Sequence, residues 1–230
     1  FGVLSHSEAA SALGSHVIIL LMAAFMLSKG LERANLHKRF AIYMLRITGS
    51  GSPLKLVLGF MLTTAVLSMW ISNTATILMM LPMAIAIINA VDNPRFGVAL
   101  ILGIAYSASL GGVGTPIGTP PNIIFMSVYE ETQGIEYSFI DWMKTGVPIV
   151  ILGVPIMALW LARGIKQVGN IDLPVPGTWT KAEKRVLAIF GTVALAWIFR
   201  PFWTAWIGIS TISDSTIAVA GVAAMFFTNS

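Results

Sequence analysis

The sequence predicts an all-α, polytopic membrane protein, and three observations predict it. Hydrophobic residues make up 56% of the 230 positions and charged residues only 10%, against roughly 25% charged in an ordinary soluble domain. Mean hydropathy is +0.83, too high for a surface that must face water. Several apolar runs approach or exceed the ~20 residues that span a bilayer core.

The 14 Lys and Arg outnumber the 10 Asp and Glu, but they gather in blocks that flank apolar runs. That is a topology signal, not a nucleic-acid footprint. The absence of cysteine excludes disulfides and a Cys-ligated metal. FGVLSHSEAAS at the start lacks a basic n-region followed by an apolar core. There is no initiator Met, and the last apolar run stops at Ser230 without an exit loop, so an internal fragment is expected.

In chain order, residues 12 to 28 read as a transmembrane helix. Residues 29 to 46 follow with Lys29, Arg33, Lys38, Arg39 and Arg46 against Glu32. Residues 163 to 185 form a second basic block, while 130 to 144 carry Glu130, Glu131, Glu136 and Asp141 against Lys144. The two basic blocks are therefore expected in the cytoplasm and the acidic one outside. Helices are also expected at 145–162, 186–199 and 215–227, with Trp142, Trp160, Trp203 and Trp206 at their interfacial ends. The stretch GNIDLPVPGTWTKAEK reads as a surface loop, and Thr180 with Glu183 as a capping box.

Two windows carry no charge at all: residues 56 to 91 and 96 to 129. As straight helices each would reach about 50 Å, well beyond a hydrocarbon core of about 30 Å. The first is interrupted by Ser72, Asn73 and Thr74, which predicts a re-entrant helical hairpin over 54–91. The second breaks at LGGVGTPIGTPPN, where four Gly and three Pro stand in residues 110 to 122. Proline removes an N–H and clashes with the preceding turn, so one discontinuous helix is expected over 96–129. Non-helical backbone at membrane depth is tolerated only when buried in protein or lining a wet cavity.

A broken helix exposes unpaired N–H groups at one end and free carbonyls at the other. The first attracts anions and the second cations, an arrangement used by transporters. Thr74, Thr119 and Asn122 can donate to a carboxylate or sulfate. Ser68, Ser72 and the Asn73 carbonyl can supply hard oxygens to an alkali cation. No titrating residue falls between 56 and 91, which argues against proton coupling there. The alternatives are that Ser and Thr simply bond neighbouring helices and that the glycines serve close packing. A nucleotide loop is rejected, because GGVGTPIG lacks the Lys and the preceding strand. His6, His16 and His37 read as isolated interfacial or loop residues and not as ligands, and Arg200 as snorkelling at a helix end. No catalytic triad or carboxylate pair falls in the uncharged windows, so no enzyme is expected.

MWISNTAT at 69–76 and GGVGTPIGTPPN at 111–122 resemble the paired signatures of the divalent anion:sodium symporter family. GLERANLHKRFA at 30–41 and TKAEKRVL at 180–187 are similar to its flanking segments. The likeness covers nearly the whole chain, but only the N-terminal half of such a carrier. It implies half of an inverted-repeat transporter, with scaffold elements at 1–50 and 147–230 and transport elements at 51–146. It implies sodium at Ser68, Ser72, Asn73 and Gly118, and the anion's carboxylate at Asn73, Thr74 and Thr119. It further implies sodium as the coupling ion with no organic cofactor, a homodimer in the lipid bilayer, an elevator-type motion and no nucleic-acid partner. The expected function is sodium-coupled symport of small divalent anions, C4-dicarboxylates such as succinate, in a bacterial inner membrane. The alternatives are a sodium-independent dicarboxylate or sulfate exchanger, and an anion channel.

Overall fold

The computed structural model describes residues 5–7, 14–49, 51–91, 93–165, 177–209 and 211–228. The first half of the expected surface loop, 169–176, and the first two residues of the expected 12–28 helix lie outside the described residues. The elements are α1 (His16–Arg33), α2 (Leu36–Thr48), α3 (Pro53–Ser68), α4 (Asn73–Ala90), α5 (Pro94–Gly112), a 3-10 turn (Pro116–Gly118), α6 (Pro120–Gln133), α7 (Phe139–Leu161), α8 (Lys181–Ile198), α9 (Arg200–Ile207) and α10 (Asp214–Phe227). The architecture is all-helical, with no strand among the described residues.

Local chemistry sets the helix ends. Ser52 accepts from the Lys55 N–H and Pro53 opens α3. Asn93 accepts from the Arg95 and Phe96 N–H groups ahead of α5, which Pro94 opens. In both, a short polar side chain satisfies orphan donors and a proline stands where no N–H is needed. Thr180 and Glu183 form the expected reciprocal capping box at the start of α8.

Helices α4, α5 and α7 are each long and apolar enough to cross a bilayer, and α8 with α9 forms a fourth candidate bent by 77°. The protein is thus built as a multi-pass membrane protein. Both arms flanking the first interruption, α3 and α4, pack against α5 and against each other, and α7 packs on α3 and α5. A second group forms from α1, α8 and α10. The boundary expected at 146/147 falls inside α7, a single helix of 23 residues. The tip residue Trp70 joins the groups: its ring stacks on Phe139, which stacks on Trp197 of α8.

Charges meet at the two ends of the assembly. Arg39 of α2 donates to both Glu183 carboxylate oxygens at 2.9 and 3.0 Å and to the carbonyls of Gly177 and Thr178. Its guanidinium also lies 4.4 Å from the centre of the Trp179 ring. Two sequence segments read as basic and same-sided are thereby joined. On the acidic segment, Glu130 lies 3.6 Å from His16, and Glu136 accepts from Arg200 at 2.5 Å.

Arg200 corrects the sequence reading. Instead of snorkelling it is buried, paired with Asp214 at 2.9 Å as well as with Glu136, and it donates to the Ile212 carbonyl. Pro201 does not end the chain's helical path. At the second position of α9 it needs no N–H, so a new helix starts there after the bend. His37 is also buried, not a loop residue, and burial together with Lys38 lowers its pKa below the usual imidazole value.

At Gly111, α5 packs backbone against backbone on α3. A Cβ built on Gly111 would stand 2.6 Å from the Ala65 Cα, with backbone on both sides and nothing flexible to yield. Gly111→Ala is expected to cost about 1–3 kcal/mol through overpacking. Thermal unfolding of the detergent-solubilised full-length protein should show a lower midpoint, and an unchanged midpoint would refute this contact.

Candidate functional site

The two sequence interruptions meet. The first arm ends at Ser68, residues 69–72 turn, and Ser72 caps α4 by accepting from the Ala75 N–H at 3.3 Å. The Ser-Asn-Thr triplet is therefore the cap and first turn of the second arm, not the turn itself. The second break occupies 113–119, between the end of α5 and the start of α6. Thr115 donates its hydroxyl to the Met69 carbonyl, tying break to tip.

The expected cation ligands converge in part. Ser68 is fully buried, and its Oγ lies 2.6 Å from Asn73 Oδ1 and 2.7 Å from the Ala108 carbonyl. A hydroxyl carries one hydrogen, so these three oxygens share a single donor and are left electron-rich. Asn73 also abuts Gly112, where an added Cβ would fall 2.6 Å from its Oδ1. Gly118 abuts Gly112 from the other side, an added Cβ falling 2.9 Å from the Gly112 Cα. Ser68, Asn73 and Gly118 thus gather around Gly112. Ser72 does not join them: it is exposed and its oxygen serves the α4 cap.

The expected anion ligands lie at the same place but on the open side. Asn73 and Thr119 are half-buried and Thr74 is exposed. Asn73 Nδ2 and the backbone N–H groups of Asn73 and Thr74 donate to nothing among the described residues. The start of α4 is therefore a ready donor set for a negative group. The start of α6 is not. Pro120 and Pro121 have no N–H, and the Asn122 N–H already donates to the Thr119 carbonyl. Of two half-helix N-termini, only one offers its backbone.

Three residues do different work from that expected. Asn122 is buried, and its amide donates to the carbonyls of Gly112 at 2.7 Å and Thr115 at 2.8 Å. Both of its hydrogens are engaged, so it cannot also donate to a carboxylate. Trp142, read as an interfacial aromatic, donates Nε1 to the Val113 carbonyl at 2.7 Å. Thr115 carried no role in the sequence reading. Part of the signal was available: a break in lipid must find donors for its carbonyls, and Asn122 with two N–H groups and Trp142 with one stand near it in the sequence. Among the described residues no three His, Cys, Asp or Glu side chains gather as a metal site, so the cluster is one of neutral oxygens.

The family model described as Citrate transporter matches residues 1–230. Sodium-dependent dicarboxylate transporter SdcS of Staphylococcus aureus, strains USA300, NCTC 8325 / PS 47 and COL, is 35% identical over 240 residues, 94% of this chain. The chain spans about half the length of these relatives, 46% of each. With paired helix breaks, a neutral-oxygen cluster and a family match from end to end, the chain belongs to the citrate transporter family, membrane carriers and not enzymes.

Proposed function

We propose that the full-length protein is a secondary active carrier coupling sodium to the uptake of small divalent anions, C4-dicarboxylates such as succinate, across a plasma membrane. The observation that carries this reading is the juxtaposition at the α4 start. Free N–H donors at Asn73 and Thr74 stand beside the Ser68, Asn73 and Ala108 oxygens. A sodium ion suits the oxygens, and a carboxylate suits the donors together with Thr74 and Thr119. Sodium binds first and supplies the positive charge that makes the site accept an anion. The sodium-dependent dicarboxylate transporter among the relatives supports this choice over the sodium-free exchanger.

On this reading α3 and α4 form a hairpin that enters the membrane and turns within it, α5 and α6 form one discontinuous span, and this unit moves by an elevator motion within a homodimer. The scaffold against which it moves includes α1, α8 and α10. The Arg39–Glu183 pair supports one side for both basic segments, which by their charge bias is the inside, with the acidic segment outside.

Three measurements test the proposal. Labelled succinate uptake into proteoliposomes by the full-length protein should collapse when choline replaces sodium; unchanged uptake would sink the coupling. Asn73→Ala removes both an oxygen ligand and a donor, so uptake should fall to background while the protein elutes as the same dimer. Because the sequence holds no Cys, single cysteines label cleanly in a full-length protein kept cysteine-free. Glu131→Cys should react with an impermeant reagent only from outside the cell and Lys38→Cys only from inside, and the reverse pattern would invert the topology.

A further inference from the structure

We infer that Asn122 and Trp142 are positioning residues that set the affinity for the coupling cation by clamping the carbonyls of the broken helix. The inference rests on the sodium-coupled reading above and concerns residues outside the expected cation ligands.

The break exposes a run of carbonyls, and three of them have side-chain donors. Gly112 and Thr115 accept from the two hydrogens of the Asn122 amide, and Val113 accepts from the Trp142 indole. The donors come from different helices, α6 and α7. They act on one short segment and leave the hairpin tip alone. Asn122 is 6% exposed, so its hydrogen bonds are not in competition with bulk water.

The clamp fixes the part of the chain that presents the cation ligands. By holding the carbonyls of residues 112 and 115 to one amide, Asn122 fixes the curvature that brings Gly118 against Gly112. Gly112 is in turn the surface on which Asn73 rests, with Ser68 bonded to Asn73. Trp142 holds the neighbouring carbonyl, and Gly146, one turn along α7, packs on the same segment so closely that an added Cβ would fall 3.2 Å from the Gly114 Cα. If the clamp is released, residues 113–119 lose their fixed path and the ligand oxygens spread. The backbone N–H donors at the start of α4 are held by Ser72, outside the clamp, and of the expected anion ligands only Thr119 lies in the clamped segment. The two ions should therefore respond differently to its loss. Groups that orient ligands without touching the metal commonly tune its affinity by 10–100-fold.

The test uses full-length protein in proteoliposomes, with succinate uptake measured against sodium concentration and succinate KM measured at saturating sodium. Asn122→Asp keeps the shape and removes both hydrogens. Trp142→Phe keeps an aromatic ring and removes the indole donor. Asn122→Asp should raise the half-saturating sodium concentration on the order of 10-fold, and Trp142→Phe should raise it in the same direction by less. The succinate KM at saturating sodium should change by less than the half-saturating sodium concentration in both. A lowered maximal rate with unchanged sodium dependence would reduce both residues to structural roles and overturn the inference. A raised succinate KM with unchanged sodium dependence would make Asn122 an anion contact and overturn it equally. If Asn122→Asp fails to fold, Trp142→Phe decides alone. Wild-type uptake that ignores sodium would overturn the proposed function together with this inference, whereas sodium-dependent wild type with unshifted variants would overturn the inference only.

Discussion

A backbone carbonyl released from a helix inside lipid has no water to turn to, and an unpaired one costs several kcal/mol. The break at 113–119 is tolerable because the protein answers this constraint group by group. Asn122 and Trp142 reach its carbonyls from two further helices. Thr115 gives its hydroxyl to the tip carbonyl of Met69. The close approach of Gly111 to Ala65 brings α3 and α5 together tightly enough for these short side chains to span the gap. A single bulky residue at that crossing would separate tip from break and leave each with unmet hydrogen-bonding groups.

The same constraint governs the charges. Arg39 and Arg200 are both buried, and each is held by carboxylates and carbonyls from segments distant in sequence. Removing one member of such a set leaves its partner stranded, which is why these contacts specify how distant segments dock even where their net contribution to stability is small. Arg39 fastens α2 to the start of α8, while the other end of α2 packs along α3. The amphipathic α2 therefore links the hairpin arm to the second helical group.

Much of this was legible in the residues because it depends on local composition. Uncharged windows too long for one crossing announced both breaks, and Thr180 with Glu183 announced the start of α8. Blocks of like charge pointed to segments that meet in space. What stayed hidden depends on partners remote in sequence. Arg200 before Pro201 has the local look of a helix end, and only Asp214 and Glu136 reveal a buried cation at a 77° bend. Trp142 near an end of an apolar run looks interfacial until the Val113 carbonyl is placed beside it. Asn122 offered both donors and an acceptor, and sequence alone could not say which would be engaged. The two prolines before it have a legible consequence: they strip N–H groups from the start of α6, so that free backbone donors stand at the start of α4 and not there.

A site built this way has a thermodynamic character that follows from its composition. Between residues 56 and 91 no side chain ionises, and the cluster around Gly112 consists of hydroxyl, amide and backbone groups. Peptide dipoles at helix ends amount to partial charges, enough to orient an ion and too little to neutralise a dianion. On the proposed reading, the counter-charge must arrive with the second ligand. Linkage then requires that the cation raise the anion's affinity by the same factor by which the anion raises the cation's. A fixed Lys or Arg beside Asn73 would bind the anion unaided and abolish that dependence. On that proposal the neutrality of the tip is the physical reason for coupling: a site that satisfies neither ion alone would select for the pair.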